Sequence, residues 1–349
     1  MNSDQKINTW YISSTQYTAC SVECCHHPDH GHIVGVGTYQ LCQETGTRLG
    51  QIVLGLVNLD NSKLGDNVYT EACSLACSGV LDMKWSHHNE PKLAVAEAGG
   101  DVVIYEVVKD QESEGKLKLK SISRTNVSNG LCLALEWSFD SERIVISDSL
   151  GCVTLLTVSD EDVVAKMTNI SNTHGFEAWT VCLSKHDTNI FYSGGDDCKL
   201  NCYDLRSNDS SPVRSNKSSH SMGVTSMVAS ARSSNVLITG SYDEHVRMWD
   251  VRNLRSETSS YSVGGGVWRL KPKPEDEDVM LVAAMHDGFK IAKSCEIVQE
   301  FREHESLAYG ADWVADFQFE DTQQSMIATC SFYDCLFKIW SLPCKGVLY

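Results

Sequence analysis

Positive charge is in short supply in this 349-residue sequence: 29 Lys and Arg stand against 46 Asp and Glu, a formal net charge of −17. A nucleic-acid backbone needs a basic face, so no direct nucleic-acid partner is expected. A cationic ligand or a basic protein surface suits the balance. Long apolar runs are missing too: none reaches the roughly 18 residues of a membrane-spanning helix. The stretch Met1–Thr9 is polar, without the apolar core of a signal peptide. The expectation is a soluble, cytoplasmic protein with no membrane partner. Proline is scarce at six residues, and no Gly-x-Ser-x-Gly elbow occurs, which excludes an α/β-hydrolase mechanism.

Cysteine, by contrast, is abundant. Fifteen are present, and without a secretory signal they read as reduced thiols packed as small apolar side chains. Cys24-Cys25-His26-His27 has metal-binding residue types, but a tetrahedral site wants paired ligands separated by a turn. No metal and no cofactor are expected. Twenty-four Gly, with clusters of Ser, Asn and Asp, suit many short strands joined by turns.

The stretch Gly240-Ser-Tyr-Asp-Glu-His-Val-Arg-Met-Trp249-Asp250 organises the rest. A strand-forming run, Leu237–Thr239, enters a turn at Tyr242–Glu244, and an alternating strand leaves it to end in Trp-Asp. Comparable strand ends fall near Leu54, Tyr105, Leu156, Tyr203, Trp249, Ile291 and Trp340, with gaps of 51, 51, 47, 46, 42 and 49 residues. A four-stranded propeller blade with its loops takes about 40–50 residues. The fold class is therefore all-β, a seven-bladed WD-repeat β-propeller filling residues 1–349 as a single domain. Too few residues follow Trp340 for a fourth strand, and an open ring would leave an unpaired edge. The strand Trp10-Tyr11-Ile12 is expected to complete the last blade. Asp110–Gly115, Arg206–Lys217 and Lys271–Asp278 read as polar loops.

His174 precedes Asp197 by 23 residues, and His220 precedes Asp243 by 23. In WD blades such a His bonds a second-strand hydroxyl, here Ser193 and Thr239 or Ser241, beside a turn Asp. These pairs read as structural networks that satisfy buried polar groups. His304 and Asp334, 30 apart, form a looser version.

The ordered motifs allow a narrower statement. They are His174-Gly-Phe-Glu-Ala-Trp179, Tyr192-Ser-Gly-Gly-Asp-Asp197, His220-Ser-Met-Gly-Val224, Gly240-Ser-Tyr-Asp-Glu-His245 and Gly264-Gly-Gly-Val-Trp-Arg269. Met285-His-Asp-Gly-Phe-Lys-Ile291, Leu307-Ala-Tyr-Gly-Ala-Asp-Trp313 and Ala328-Thr-Cys-Ser-Phe-Tyr-Asp334 follow. With Val36-Gly-Thr-Tyr-Gln40 and Leu81-Asp-Met-Lys-Trp85, this set closely resembles the WD-repeat family of diphthine methyl ester hydrolases, also called diphthine methyltransferases. The resemblance implies hydrolysis of the methyl ester of methylated diphthine, a modified histidine of translation elongation factor 2. That step precedes the final amidation to diphthamide.

Ester hydrolysis needs activated water or a nucleophile, a base, and donors for the developing oxyanion. His286 and His245 are the candidate bases because neither fills the structural His slot, and Asp243 is a rival. Gly264-Gly265-Gly266 can bring backbone N–H groups close to a ligand, or can simply form a tight inter-blade turn. Trp179 and Trp268 open first strands near the channel mouth. With Tyr242, Glu177, Glu244 and Tyr309 they are the candidate substrate-binding residues, since aromatic faces and carboxylates suit the trimethylammonium of diphthine. Their alternative role is inter-blade packing. Trp313 aligns with Trp85 and Trp137 and reads as core. Two other functions remain in view: a non-catalytic WD-repeat scaffold, since fold does not fix function, and a reader of a methylated cationic side chain. A closed propeller has no need to dimerise, so a monomer is expected.

Overall fold

A computed structural model describes residues 7–27, 32–59, 68–110, 116–159, 164–170, 173–207 and 211–344. Seven four-stranded sheets account for its strands, as the blades of a seven-bladed β-propeller. Within a blade the strands change character in order. Early strands such as Lys92–Glu97 and Arg143–Asp148 are Val-, Ile- and Ala-rich and buried nearly throughout. Last strands such as Leu117–Asn126 and Val164–Ile170 are polar and largely exposed. A strand covered on both faces can be apolar at every position, whereas an edge strand facing water cannot.

The chain divides into two compact units. One comprises residues 80–107 and 120–270 and holds the second to fifth blades apart from the outer tip of the second. Cores here form around Trp137, Ile144 and Leu156, around Phe191 and Tyr203, and around Leu237 and Trp249. The other comprises residues 1–79, 108–119 and 271–349, with the first, sixth and seventh blades. In this unit the strand Asn8–Ser14 pairs antiparallel with Leu336–Pro343, completing the seventh blade as expected. Thr9 faces Trp340 and Ile12 faces Lys338, with a bulge between Thr9 and Tyr11. Trp10 donates from Nε1 to Ser341 Oγ at 2.9 Å and packs edge-on against Phe319, 4.9 Å between centroids.

Two loop assignments need correcting. Arg206–Lys217 contains the fourth strand of its blade, Arg214–Asn216, which is short and polar because it is the outermost. Lys271–Asp278 contains the end of the strand Arg269–Lys273 and the start of Asp276–Ala283, so the acids lie in and just after a tight turn. Of Asp110–Gly115, residues 111–115 lie outside the described residues. None of the 15 cysteines is joined in a disulfide.

The histidine networks form as expected, with one change of partner. His174 bonds Asp197 through Nδ1 and Ser193 Oγ through Nε2, both at 2.7 Å. Burial raises the Asp197 carboxyl, but bonds from His174 and Lys199 outweigh it and hold the group well below the carboxylate range. His220 Nε2 bonds Thr239 Oγ1 at 3.0 Å, and Trp249 Nε1 donates to the same oxygen at 2.9 Å. Asp243 instead bonds the neighbouring Ser221 N–H at 2.9 Å. In the other unit, His304 bonds Ser331 at 2.5 Å and Thr329 at 2.9 Å, and Ser331 donates to Asp334.

Burial pulls His220 down to about 4, helped by Arg247 and opposed by Asp243. Burial and then Lys338 do the same for His304, also to about 4. Unfolded imidazoles protonate near about 6.5, so between these values the unfolded state binds more protons. Stability should therefore fall as pH drops from about 6.5 to about 4, by up to about 1.4 kcal/mol per pH unit for each imidazole. Urea midpoints measured across this window check it, and His220→Gln should flatten the slope.

Candidate functional site

In each blade of the unit 80–107/120–270, the loop into the next first strand and the second-to-third turn exchange backbone bonds. Ala178 N donates to Asp148 O of the preceding blade at 3.1 Å, and Asp196 N of the following blade donates to Glu177 O at 2.8 Å. Val224 N bonds Gly195 O and Tyr242 N bonds Gly223 O, each at 3.0 Å. Val267 N bonds Ser241 O and Val263 N bonds Glu244 O, each at 2.9 Å. Three aromatic side chains are set by this sequence of clasps.

Trp179, Tyr242 and Trp268 meet as a mutual triad. Their ring centroids lie 5.8 Å apart for the two tryptophans and 6.1 Å from each to Tyr242. All three are half-buried, so each keeps an edge or face toward solvent. Trp179 Nε1 donates to Asp196 Oδ1 at 3.1 Å. Burial raises the Tyr242 phenol well above its ordinary range, and the Asp196 and Glu177 carboxylates raise it further. The hydroxyl stays protonated. One cation already uses this cluster: the Arg269 guanidinium lies 5.7 Å from the Trp268 ring centroid. Arg269 is fastened from behind by Asp82 at 3.3 Å and by Leu81 O at 3.1 Å. Aromatic faces beside carboxylates are a favourable environment for a cation with an apolar exterior.

Glycine makes the close approach possible. A Cβ at Gly223 would meet Asp196 Oδ1 at 2.6 Å and Tyr242 Cδ2 at 3.2 Å. Gly264 adopts φ of 81°, a left-handed turn, while Gly265 and Gly266 are buried and clasped against the Tyr242–Glu244 turn. Glu244 is exposed at that turn with φ of 69°.

Of the expected bases, Asp243 is engaged. It accepts from Arg247 at 2.8 Å, and this bond with those from Ser221 and His245 outweighs burial and keeps its carboxyl below the usual range. His245 is different: Nδ1 lies 2.7 Å from Asp243 O. A carbonyl only accepts, so Nδ1 carries the proton and Nε2 is left as the basic atom. The side chain is 42% exposed.

His286 and Tyr309 belong to the other unit. His286 is exposed in the turn between Asp276–Ala283 and Phe289–Lys293. Tyr309 packs on Phe332, 4.7 Å between centroids. The same unit contains an acid–base cluster absent from the sequence-based expectations. Asp312 accepts from Cys24 N at 2.8 Å and pairs with Lys271 at 3.3 Å, and His26 Nε2 lies 3.8 Å away. Burial raises the Asp312 carboxyl, but Lys271, His26 and the Cys24 N–H prevail and bring it to about 2. Burial lowers His26, and Asp312 more than compensates. Lys271 also pairs with Glu23 at 2.7 Å. One signal was available: a carboxylate stands mid-strand between apolar neighbours at Ala311-Asp312-Trp313. Trp313 itself is core, 3% exposed, as expected.

Repeating four-stranded blades with His–Ser/Thr–Trp networks and turn aspartates define a WD-repeat β-propeller, and the family model "WD domain, G-beta repeat" matches residues 211–250. The chain is 35% identical over 329 residues to the diphthine methyltransferase of Mus musculus, covering 86% of this chain and 68% of that one. It is 32% identical over 337 residues to the diphthine methyltransferase of Schizosaccharomyces pombe, covering 94% and 96%. The Homo sapiens diphthine methyltransferase is 33% identical over 336 residues, covering 86% and 73%. The chain belongs to the diphthine methyltransferase family.

Gly223→Ala should push Asp196 off the Trp179 indole and crowd Tyr242. A loss of about 1–3 kcal/mol is expected, as for overpacked sites. A shift in tryptophan emission accompanying the lowered urea midpoint would check that the triad itself has moved.

Proposed function

We propose that this protein acts in diphthamide biosynthesis by hydrolysing the methyl ester of methylated diphthine on translation elongation factor 2. Water adds through oxygen to the ester carbonyl carbon, the C–OCH3 bond breaks, and methanol leaves with one of the water's protons. Diphthine remains as its carboxylate, ready for amidation. The Trp179, Tyr242 and Trp268 triad, flanked by Asp196 and Glu177, carries the reading: it suits a trimethylammonium group, which offers no hydrogen bond and is held by ring faces and nearby charge. The names of the relatives point to the same substrate.

In this proposal His245 takes the water proton at Nε2, its tautomer set by the Asp243 carbonyl. Asp243 acts by positioning His245. Backbone N–H groups of Gly265 and Gly266 would face the oxyanion, and Glu244 is a further substrate contact. The protein would work as a cytoplasmic monomer. A reader of the same cation would share the aromatic triad but leave the ester intact.

Mass spectrometry of elongation factor 2 bearing methylated diphthine, incubated with the purified protein and no methyl donor, separates the two. A decrease of one CH2 unit with methanol release is expected. His245→Ala should abolish it, Trp268→Ala should lower kcat/KM by about tenfold or more, and Lys116→Ala should leave it unchanged. An unaltered mass with retained binding would leave the reader.

A further inference from the structure

Four large apolar side chains are more than half exposed among the described residues of the unit 80–107/120–270: Phe139 at 64%, Leu150 at 60%, Phe176 at 64% and Met222 at 52%. Phe139 sits in a first-to-second-strand turn, and antiparallel alternation puts that turn at the opposite end of its blade from the second-to-third turn carrying Leu150. The other three occupy the clasped series that sets the aromatic triad, with the Asp196 turn between the Phe176 and Met222 loops. Leu150 is in the turn whose Gly151 carbonyl accepts from His174 N, and a Cβ at Gly151 would lie 2.6 Å from Phe176 O. Phe176 is in the loop whose Glu177 carbonyl accepts from Asp196 N. Met222 precedes Gly223, which accepts from Tyr242 N and abuts Asp196. Met222 O also accepts from Ser241 Oγ at 3.1 Å.

These side chains are held in place. Asp148 accepts from Leu150 N and Cys152 N at 3.0 and 2.8 Å and from Ser128 Oγ at 2.7 Å, which fixes the Leu150 turn. Asp197 fixes the start of the Phe176 loop through Gly175 N at 3.0 Å. Scattered surface hydrophobics need no explanation. Three on rigid turns along one continuous set of loops, with the polar side chains turned inward to hold them, are an interaction surface.

We propose that the rim formed by Leu150, Phe176 and Met222 docks the folded polypeptide that carries the cationic side chain received by the Trp179, Tyr242 and Trp268 triad. This rests on the function proposed above. A side chain entering the triad brings its own backbone across the adjoining loops, and the rim is continuous with the triad through backbone bonds. The carboxylates along these loops, Glu177, Asp196 and Glu244, together with the net charge of −17, fit a partner segment that is apolar and basic.

The test is direct binding of elongation factor 2, with methylated diphthine or with the unmodified histidine, to the wild-type chain, to a Leu150→Ser/Phe176→Ser/Met222→Ser triple variant, and to Phe139→Ser. Circular dichroism confirms each variant's fold. The rim predicts that the triple variant loses about tenfold or more in affinity for both forms of the factor, whereas Phe139→Ser loses none. Trp268→Ala should weaken only the modified form. Unchanged affinity of the triple variant overturns the rim, as does a wild-type chain that binds neither form. Concentration-dependent self-association abolished by the triple variant also overturns it, assigning the patch to a second copy of the chain. Failure of ester hydrolysis with these affinities intact would instead remove the esterase and leave the docking surface standing.

Discussion

Backbone N–H groups in loops have no ladder to join, and burying them unpaired is costly. This protein resolves the problem by having each inter-blade loop bond the second-to-third turn beside it, as in Val224 with Gly195 and Tyr242 with Gly223. Much else follows from that exchange. The turn aspartates Asp148, Asp197 and Asp243 sit where they gather the remaining N–H groups, and the histidines or serines behind them fill the last acceptor positions. The unit 1–79/108–119/271–349 repeats the device, with Ala308 N on Met285 O and Phe332 N on Leu307 O. Loops that would otherwise be soft become parts of the scaffold.

Rigid loops change what an aromatic cluster can do. Trp179, Tyr242 and Trp268 sit in loops and a turn beside three separate sheets, so their meeting depends on how those segments are held. With the turns fixed, the rings are held in one arrangement, and preorganisation of that kind raises affinity for any ligand by lowering its entropic cost. The cluster's electrostatics point the same way. Burial raises the Tyr242 phenol, Asp196 and Glu177 raise it further as negative charge near a neutral acid does, and such a field attracts positive charge.

How far the sequence revealed this depends on which residues repeat. The third strands were legible because each ends in a similar apolar or aromatic residue at nearly constant intervals. Closure by Trp10–Ile12 was legible because an open ring would leave an unpaired sheet edge. The aromatic triad was legible because Trp179, Tyr242 and Trp268 each occupy a fixed offset in the repeat. Arg214–Asn216 was not, since an outermost strand of three polar residues carries no hydrophobic pattern. Nor was the pairing of His26 with Asp312, because residues so distant in sequence meet only through the sheet order. Arg269 over Trp268 escaped for another reason: adjacency in sequence gives no indication that a guanidinium folds back over the preceding ring.

The pairing of Asn8–Ser14 with Leu336–Pro343 also has a temporal meaning. On a translating ribosome, Asn8–Ser14 must wait for the six intervening blades before its partner emerges. Until then Asn8–Ser14 has no neighbour, and Trp10 has neither Ser341 nor Phe319 to cover it. Contacts of such long sequence separation make folding slow and leave an adhesive edge exposed meanwhile. The step that seals the seventh blade is thus the one at which a nascent chain would depend most on a chaperone.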